Sequence, residues 1–282
     1  MPGIKVAHLA AIAFALFAPA MSASPIAASV SYSLLYERID TTEPVIINLE
    51  FANHTGKPLV LNLGWDQRDQ IYFSSIGPSG LREIHEPPPT TFDQIGRFGE
   101  VEIPPNSTHT QEIILSDWAA FDVPGQYAIE LHLRGLLGLE DATSLQVQAE
   151  RVALTVESDA APLVQKHCAE EWQRLRDAKD GGDAFDASLF LGKVRNPIAV
   201  PLMSAALSTE HSTAIGGILI TGLERIPSLS AVQALAAAMS GSNRQNARFA
   251  HDALARIQPH SSDPQIAREA RLALDARDIP KQ

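Results

Sequence analysis

From residue 28 onward, apolar and polar side chains alternate with a period of two. Val45, Ile47, Leu49 and Phe51 fall on one side, and Ile46, Asn48, Glu50 and Ala52 on the other, the pattern of a half-buried strand. Asn53-His54-Thr55-Gly56 then reads as a turn, and residues 59–63 as the returning strand. Together they predict a hairpin with a four-residue connection. Further strands are predicted at 30–36, 70–76, 101–104, 110–115, 127–133 and 145–156, punctuated by Pro and Gly with no helix-period stretch between them. Past residue 158 the period changes. Val164, Cys168, Trp172 and Leu175 recur at helical spacing and give an apolar stripe along one helix.

The helical part contains a phrase that returns. LGKVRNPIAVPLMSAAL starts at Leu191, LERIPSLSAVQALAAAM at Leu223, and LARIQPHSSDPQIAREARLAL at Leu254, at spacings of 32 and 31 residues. In each copy an apolar helix closes, a breaker follows (Asn196-Pro197, Pro227-Ser228, or Pro259 to Pro264), and a second helix opens. Pro197 and Pro264 suit a first helical turn, where the amide proton has no partner to lose, and Ser228 or Ser230 suits the cap. The run AIGGILITGL, from Ala214, is apolar nearly all round and predicts the most buried helix. Gly216, Gly217 and Gly222 lower its helix propensity, which predicts close helix contact.

The form L-G-K-V-R-N-P-x-A-V-P-L resembles HEAT-like repeats of the short bacterial kind, over about 85 residues. Val123-Pro124-Gly125-Gln126-Tyr127-Ala128-Ile129-Glu130-Leu131 resembles the closing strand of bacterial immunoglobulin-like domains. That resemblance implies a corner role for Tyr127, its hydroxyl bonded to nearby backbone. Residues 28–158 also look distantly like the BsuPI-type proteinase-inhibitor sandwich. The expected fold class is multidomain: an all-β immunoglobulin-like sandwich (28–158) followed by an all-α HEAT-like repeat domain (159–282), after a signal peptide (1–23).

The signal-peptide reading rests on Lys5, the unbroken apolar run from Leu9 to Phe17, and small residues at Ala18 to Ser22. That run is too short to span a bilayer, so no integral membrane segment is expected after cleavage. The one cysteine, Cys168, excludes an intrachain disulfide. Its scarcity points to the periplasm or exterior of a bacterium. The net charge of −11 is uneven, with 19 acidic and 7 basic residues in 28–158 against 14 and 14 in 159–282. An acidic front half argues against nucleic acid and anionic lipid as partners.

Candidate chemistry is sparse. Neither a nucleophile-elbow, a phosphate-cradling nor a metal-spaced motif is present, so no catalytic residue, metal ligand or cofactor is assigned. Cys168 lies on the apolar stripe and reads as a buried small hydrophobe, and His167 with Glu171 reads as a solvated pair. Two loops carry the binding candidates: Trp65, Asp66, Arg68 and Asp69 in one, and Phe92 and Ile95 behind the triple proline in the other. The carboxylates of the first loop are too few for a calcium site by themselves. Trp118 and Phe121 read as a plug at the end of the β region. The function expected is an exported, non-enzymatic binding or scaffolding protein that engages a protein partner. The alternatives are carbohydrate or envelope binding and a proteinase-inhibitor-like module.

Overall fold

The computed structural model describes residues 28–61, 70–87, 100–134, 145–147, 151–209 and 212–278. Eleven strands come first among them: β1 (Ala28–Leu34), β2 (Arg38–Asp40), β3 (Ile46–Asn53), β4 (Leu59–Leu61), β5 (Ile71–Ile76), β6 (Arg82–His85), β7 (Val101–Ile103), β8 (Thr108–Ile114), β9 (Gly125–Leu133), β10 (Leu145–Val147) and β11 (Val152–Glu157). They make a four-stranded sheet in the order β10-β1-β3-β8, a five-stranded sheet in the order β2-β11-β9-β5-β6, and a separate β4-β7 ladder. Period-two alternation places Val30, Leu49, Phe51 and Ile113 of the first sheet and Phe73, Ile129 and Leu154 of the second in one apolar core.

Seven helices follow: α1 (Ala161–Asp177), α2 (Gly181–Lys193), α3 (Val200–Thr209), α4 (Thr213–Arg225), α5 (Leu229–Met239), α6 (Arg244–His260) and α7 (Pro264–Asp278). Local chemistry fixes several of their starts. The Asp180 carboxylate accepts from the amides of Gly182 and Asp183, and the Ser228 hydroxyl from Ala231. Asp263 accepts from Gln265, just before Pro264 in the first turn of α7. The start of α1 is held from afar: the Ala160 amide donates to Asp40 of β2 at 2.8 Å. Helix α4 is central, packing against α2, α3, α5 and α6.

The expected fold class, an all-β immunoglobulin-like sandwich followed by an all-α HEAT-like repeat domain, is corrected by this architecture. The chain is mixed, with a β-rich N-terminal region and a helical C-terminal half that share packing. Ile46 of β3 is buried in the helical core beside Phe190 and Leu191, with Leu35, Tyr36 and Ile114 packed against it. The sheets also include two parallel pairs, β1 with β10 and β2 with β11.

The expected hairpin across residues 45–63 does not form. β3 pairs with β1 and β8, and β4 with β7. Asn53 stands where the two strands diverge. Its buried side chain donates to the carbonyls of Lys57, Ile103 and Pro104, and accepts from the amide and hydroxyl of Thr55. The chain turns there out of the sheet into the small ladder. Tyr127 behaves as expected, its hydroxyl donating to the Val123 carbonyl at 2.8 Å.

Candidate ligand cleft

The turn between β2 and β3 is built by reciprocal bonds. The Asp40 amide donates to Glu43 Oε2 at 2.7 Å, while Asp40 Oδ1 accepts from the Thr42 amide and hydroxyl. Burial alone would raise the Asp40 carboxyl. The bonds it accepts from Thr42 and Ala160 outweigh that and hold it below its ordinary range. The helical half grips the same turn: Arg195 donates from its amide to Thr42 O at 2.8 Å and from Nη2 to Thr41 O at 3.0 Å. Asn196 reaches the Thr42 hydroxyl.

Behind this turn lies a buried polar network. Glu43 Oε1 is 2.9 Å from His167 Nδ1, with both side chains almost fully buried. An ionised carboxylate there requires Nδ1 to carry the proton. Tyr36 stacks on the imidazole, with ring centroids 3.7 Å apart and planes 14° from parallel, and donates its hydroxyl to Glu171 Oε1. Arg174 gathers three carboxylates, Glu112 at 2.8 Å, Glu171 at 3.3 Å and Asp183 at 2.6 Å. Burial pushes Glu112 up to about 7, against the pull of Arg174 and with added repulsion from Asp186 and Glu171. Glu171 is raised for the same first reason, although Tyr36 and Arg174 oppose it.

His167 and Glu171 are thus 2% and 3% exposed, and the reading of them as a solvated pair is corrected. Their place on the stripe of Val164, Cys168 and Leu175 was a usable signal, because polar residues on a buried face need buried partners.

Cys168 is fully buried, as expected. Burial pushes its thiol up to about 12, with Glu43 and Glu171 adding to the rise. Native protein at pH 8 is expected to leave the thiol unmodified by a disulfide reagent over an hour, with one equivalent released in guanidinium. Rapid native reaction would contradict the burial.

Beside the turn opens a cleft of about 570 Å³. Thr41, Glu43 and Pro44 form one side, residues 116–122 a second, and Lys193, Arg195 and Arg225 of the helical half a third. Lys193 pairs with Asp117 at 2.6 Å, and the Ser116 hydroxyl accepts from the Val45 amide. Trp118 is half-buried against Phe73, with centroids 5.4 Å apart, and its indole nitrogen is buried without a hydrogen-bond partner. Phe121 is buried against Tyr127, with centroids 5.3 Å apart in an edge arrangement. These aromatics do plug the end of the β region, and they also wall the cleft. Arg225, at the end of α4, is exposed and its side chain makes no hydrogen bond or ion pair among the described residues.

The loop residues predicted for binding, Trp65, Asp66, Arg68, Asp69, Phe92 and Ile95, lie outside the described residues. The cleft was missed because no local motif marks it. Its walls come from three separated stretches of chain. Among the described residues, no helix is long and apolar enough to cross a membrane.

No protein-family model matches the chain, and no characterised protein matches its sequence. Part of the chain is similar to the solved structure of the alkylpurine DNA glycosylase AlkC of Pseudomonas fluorescens, bound to DNA containing an abasic site analogue. The TM-score is 0.25 and the identity 7%, over 48% of this chain and 31% of that one. Part is similar to β-glucosidase from Listeria innocua in complex with isofagomine, with a TM-score of 0.25 and 14% identity over 46% of this chain and 16% of that one. The chain therefore spans well under two thirds of either, and similarity this loose fixes neither fold nor function.

Proposed function

We propose that the chain is an exported, non-enzymatic binding protein that engages a protein partner, and that the partner's chain enters the junction cleft. The observation that carries this reading is the cleft itself: a half-enclosed space of ordinary ligand-site size, with aromatic and arginine side chains drawn from both halves of the molecule. Aromatic and arginine groups are those that most often anchor a partner. The buried carboxyl and thiol groups with altered acidity point the same way. Glu112, Glu171 and Cys168 are buried or nearly so and are held by one another, by Tyr36, by Arg174 or by apolar packing, so they offer a substrate no reachable acid or nucleophile. The packing of Trp118 on Phe73 weighs against a sugar-stacking role for that ring. Export to the periplasm or exterior remains part of the proposal, on the N-terminal sequence.

A photo-reactive residue replacing the exposed Ala120 in the cleft, compared with one replacing the exposed Leu272 on α7, tests the reading in envelope extracts. The expected result is an adduct with a defined protein from position 120 alone, suppressed by excess unmodified protein. Equal labelling from both positions, or none from 120, would overturn it.

A further inference from the structure

The geometry points to an acidic peptide segment as the occupant of the cleft, its carboxylate held by Arg225 and Arg195. This inference rests on the proposed protein-binding role and adds the chemistry of the partner.

The argument is a count of donors and acceptors on the lining. Lys193 is committed to Asp117. Glu43 lines the cleft, but its side chain is fully buried and both oxygens are engaged, Oε1 with His167 and Oε2 with the Asp40 amide. The Ser116 hydroxyl already accepts from Val45. What remains is mostly donor. A guanidinium offers five N–H groups. Arg195 uses one on Thr41 O among the described residues, and Arg225 uses none. Against these stands the carboxylate of Asp122, exposed and without a hydrogen bond or ion pair among the described residues. A ligand that satisfies the lining must bring acceptors, and a carboxylate presents two in the geometry a guanidinium matches. The apolar surface of Pro44, Ala119, Ala120 and Trp118 suits an apolar side chain next to the acid in the same segment.

Arg225 is exposed and supports no other described residue, so Arg225→Glu is expected to fold normally. The probe is a pool of fluorescein-labelled short peptides alternating Glu with apolar residues, with Gln and Lys counterparts and an oligogalacturonate as a non-peptide anion. Binding to the full mature chain is read by anisotropy. The Glu pool is expected to bind about tenfold or more tighter than the Gln pool, and Arg225→Glu to lose about the same factor, the scale of a lost charge-assisted hydrogen bond. Arg248→Glu, an exposed site on α6, is expected to leave binding unchanged. Equal binding of Glu and Gln pools, no binding of the Glu pool, an unaffected Arg225→Glu, or binding of oligogalacturonate alone would each overturn the inference. If cross-links from position 120 persist in that event, the binding role stands and only the acidic ligand falls.

Discussion

Arg174→Met is expected to destabilise the protein by about 3–5 kcal/mol at pH 8 and by far less at pH 5. Arg174 is the cation that Glu112, Glu171 and Asp183 share where β8, α1 and α2 meet. Methionine preserves much of the side chain's length and removes the charge. At pH 8 two nearly buried carboxylates, Glu112 and Glu171, then face each other and Asp186 without their counter-ion. Breaking a buried pair from one side costs about that much. At pH 5 Glu112, whose folded pKa is about 7, takes up its proton and the cost falls.

The sign for the unmodified protein follows from Glu112. Its folded pKa is about 7, above the ordinary value of 4.5. Its protonation therefore contributes stability that is complete below about 4.5 and is lost as the pH rises through about 7, on the order of 3 kcal/mol for a shift of that size. Glu171 is raised too and acts in the same direction. Asp40 is lowered, so its contribution is present above the ordinary aspartate range and is lost as the pH falls below it. Urea denaturation at pH 5, 6.5 and 8 reads the carboxylate and Arg174 effects. A loss in Arg174→Met that does not change with pH would show that the carboxylates are not what Arg174 holds.

Much of the local structure is legible in single stretches of sequence. Tyr127 takes its corner bond, Cys168 is buried, and the Ser228 cap stands where the breaker pattern puts it. What escapes the sequence is whatever depends on a distant partner. Alternation identifies β3 as a strand but not its neighbours. Its end is marked by Asn53, whose acceptors at residues 103 and 104 lie some fifty positions away. His167 and Glu171 look like a solvated pair until Glu43 and Tyr36, 124 and 135 residues earlier, are brought against them. The fold class fails for the same reason. Periodicity places most of the strands and the helices, though it misses β2 and β6, and it says nothing of Ile46 entering the helical core or of Glu112 reaching Arg174. The cleft is the extreme case. Trp118, Arg195 and Arg225 are unremarkable where they stand in the chain, and only the meeting of the two halves makes them neighbours.

The glycines of α4 were legible, and they carry the second large effect. Gly216 packs on the amide of Asn246, a Cβ at Gly217 would meet the Phe249 ring at 3.4 Å, and Gly222 abuts α2. A Cβ at Gly222 would sit 2.7 Å from the Cα of Gly192 and 2.8 Å from its carbonyl oxygen, and one at Gly192 would sit 2.9 Å from the carbonyl of Ile218. These are backbone atoms, so no rotamer change relieves the clash and the two helices must separate. Gly222→Ala gains about 1 kcal/mol of helix propensity. Forcing apart a well-packed contact costs more, and a net loss of about 2–3 kcal/mol in urea denaturation is expected. Gly217→Ala supplies the contrast, since its added methyl meets only the edge of a movable ring. The same propensity gain should leave it equal to the parent or up to about 1 kcal/mol more stable. If Gly222→Ala proved as stable as Gly217→Ala, α2 and α4 would not touch backbone to backbone, and the central position of α4 in the helical core would have to be redrawn.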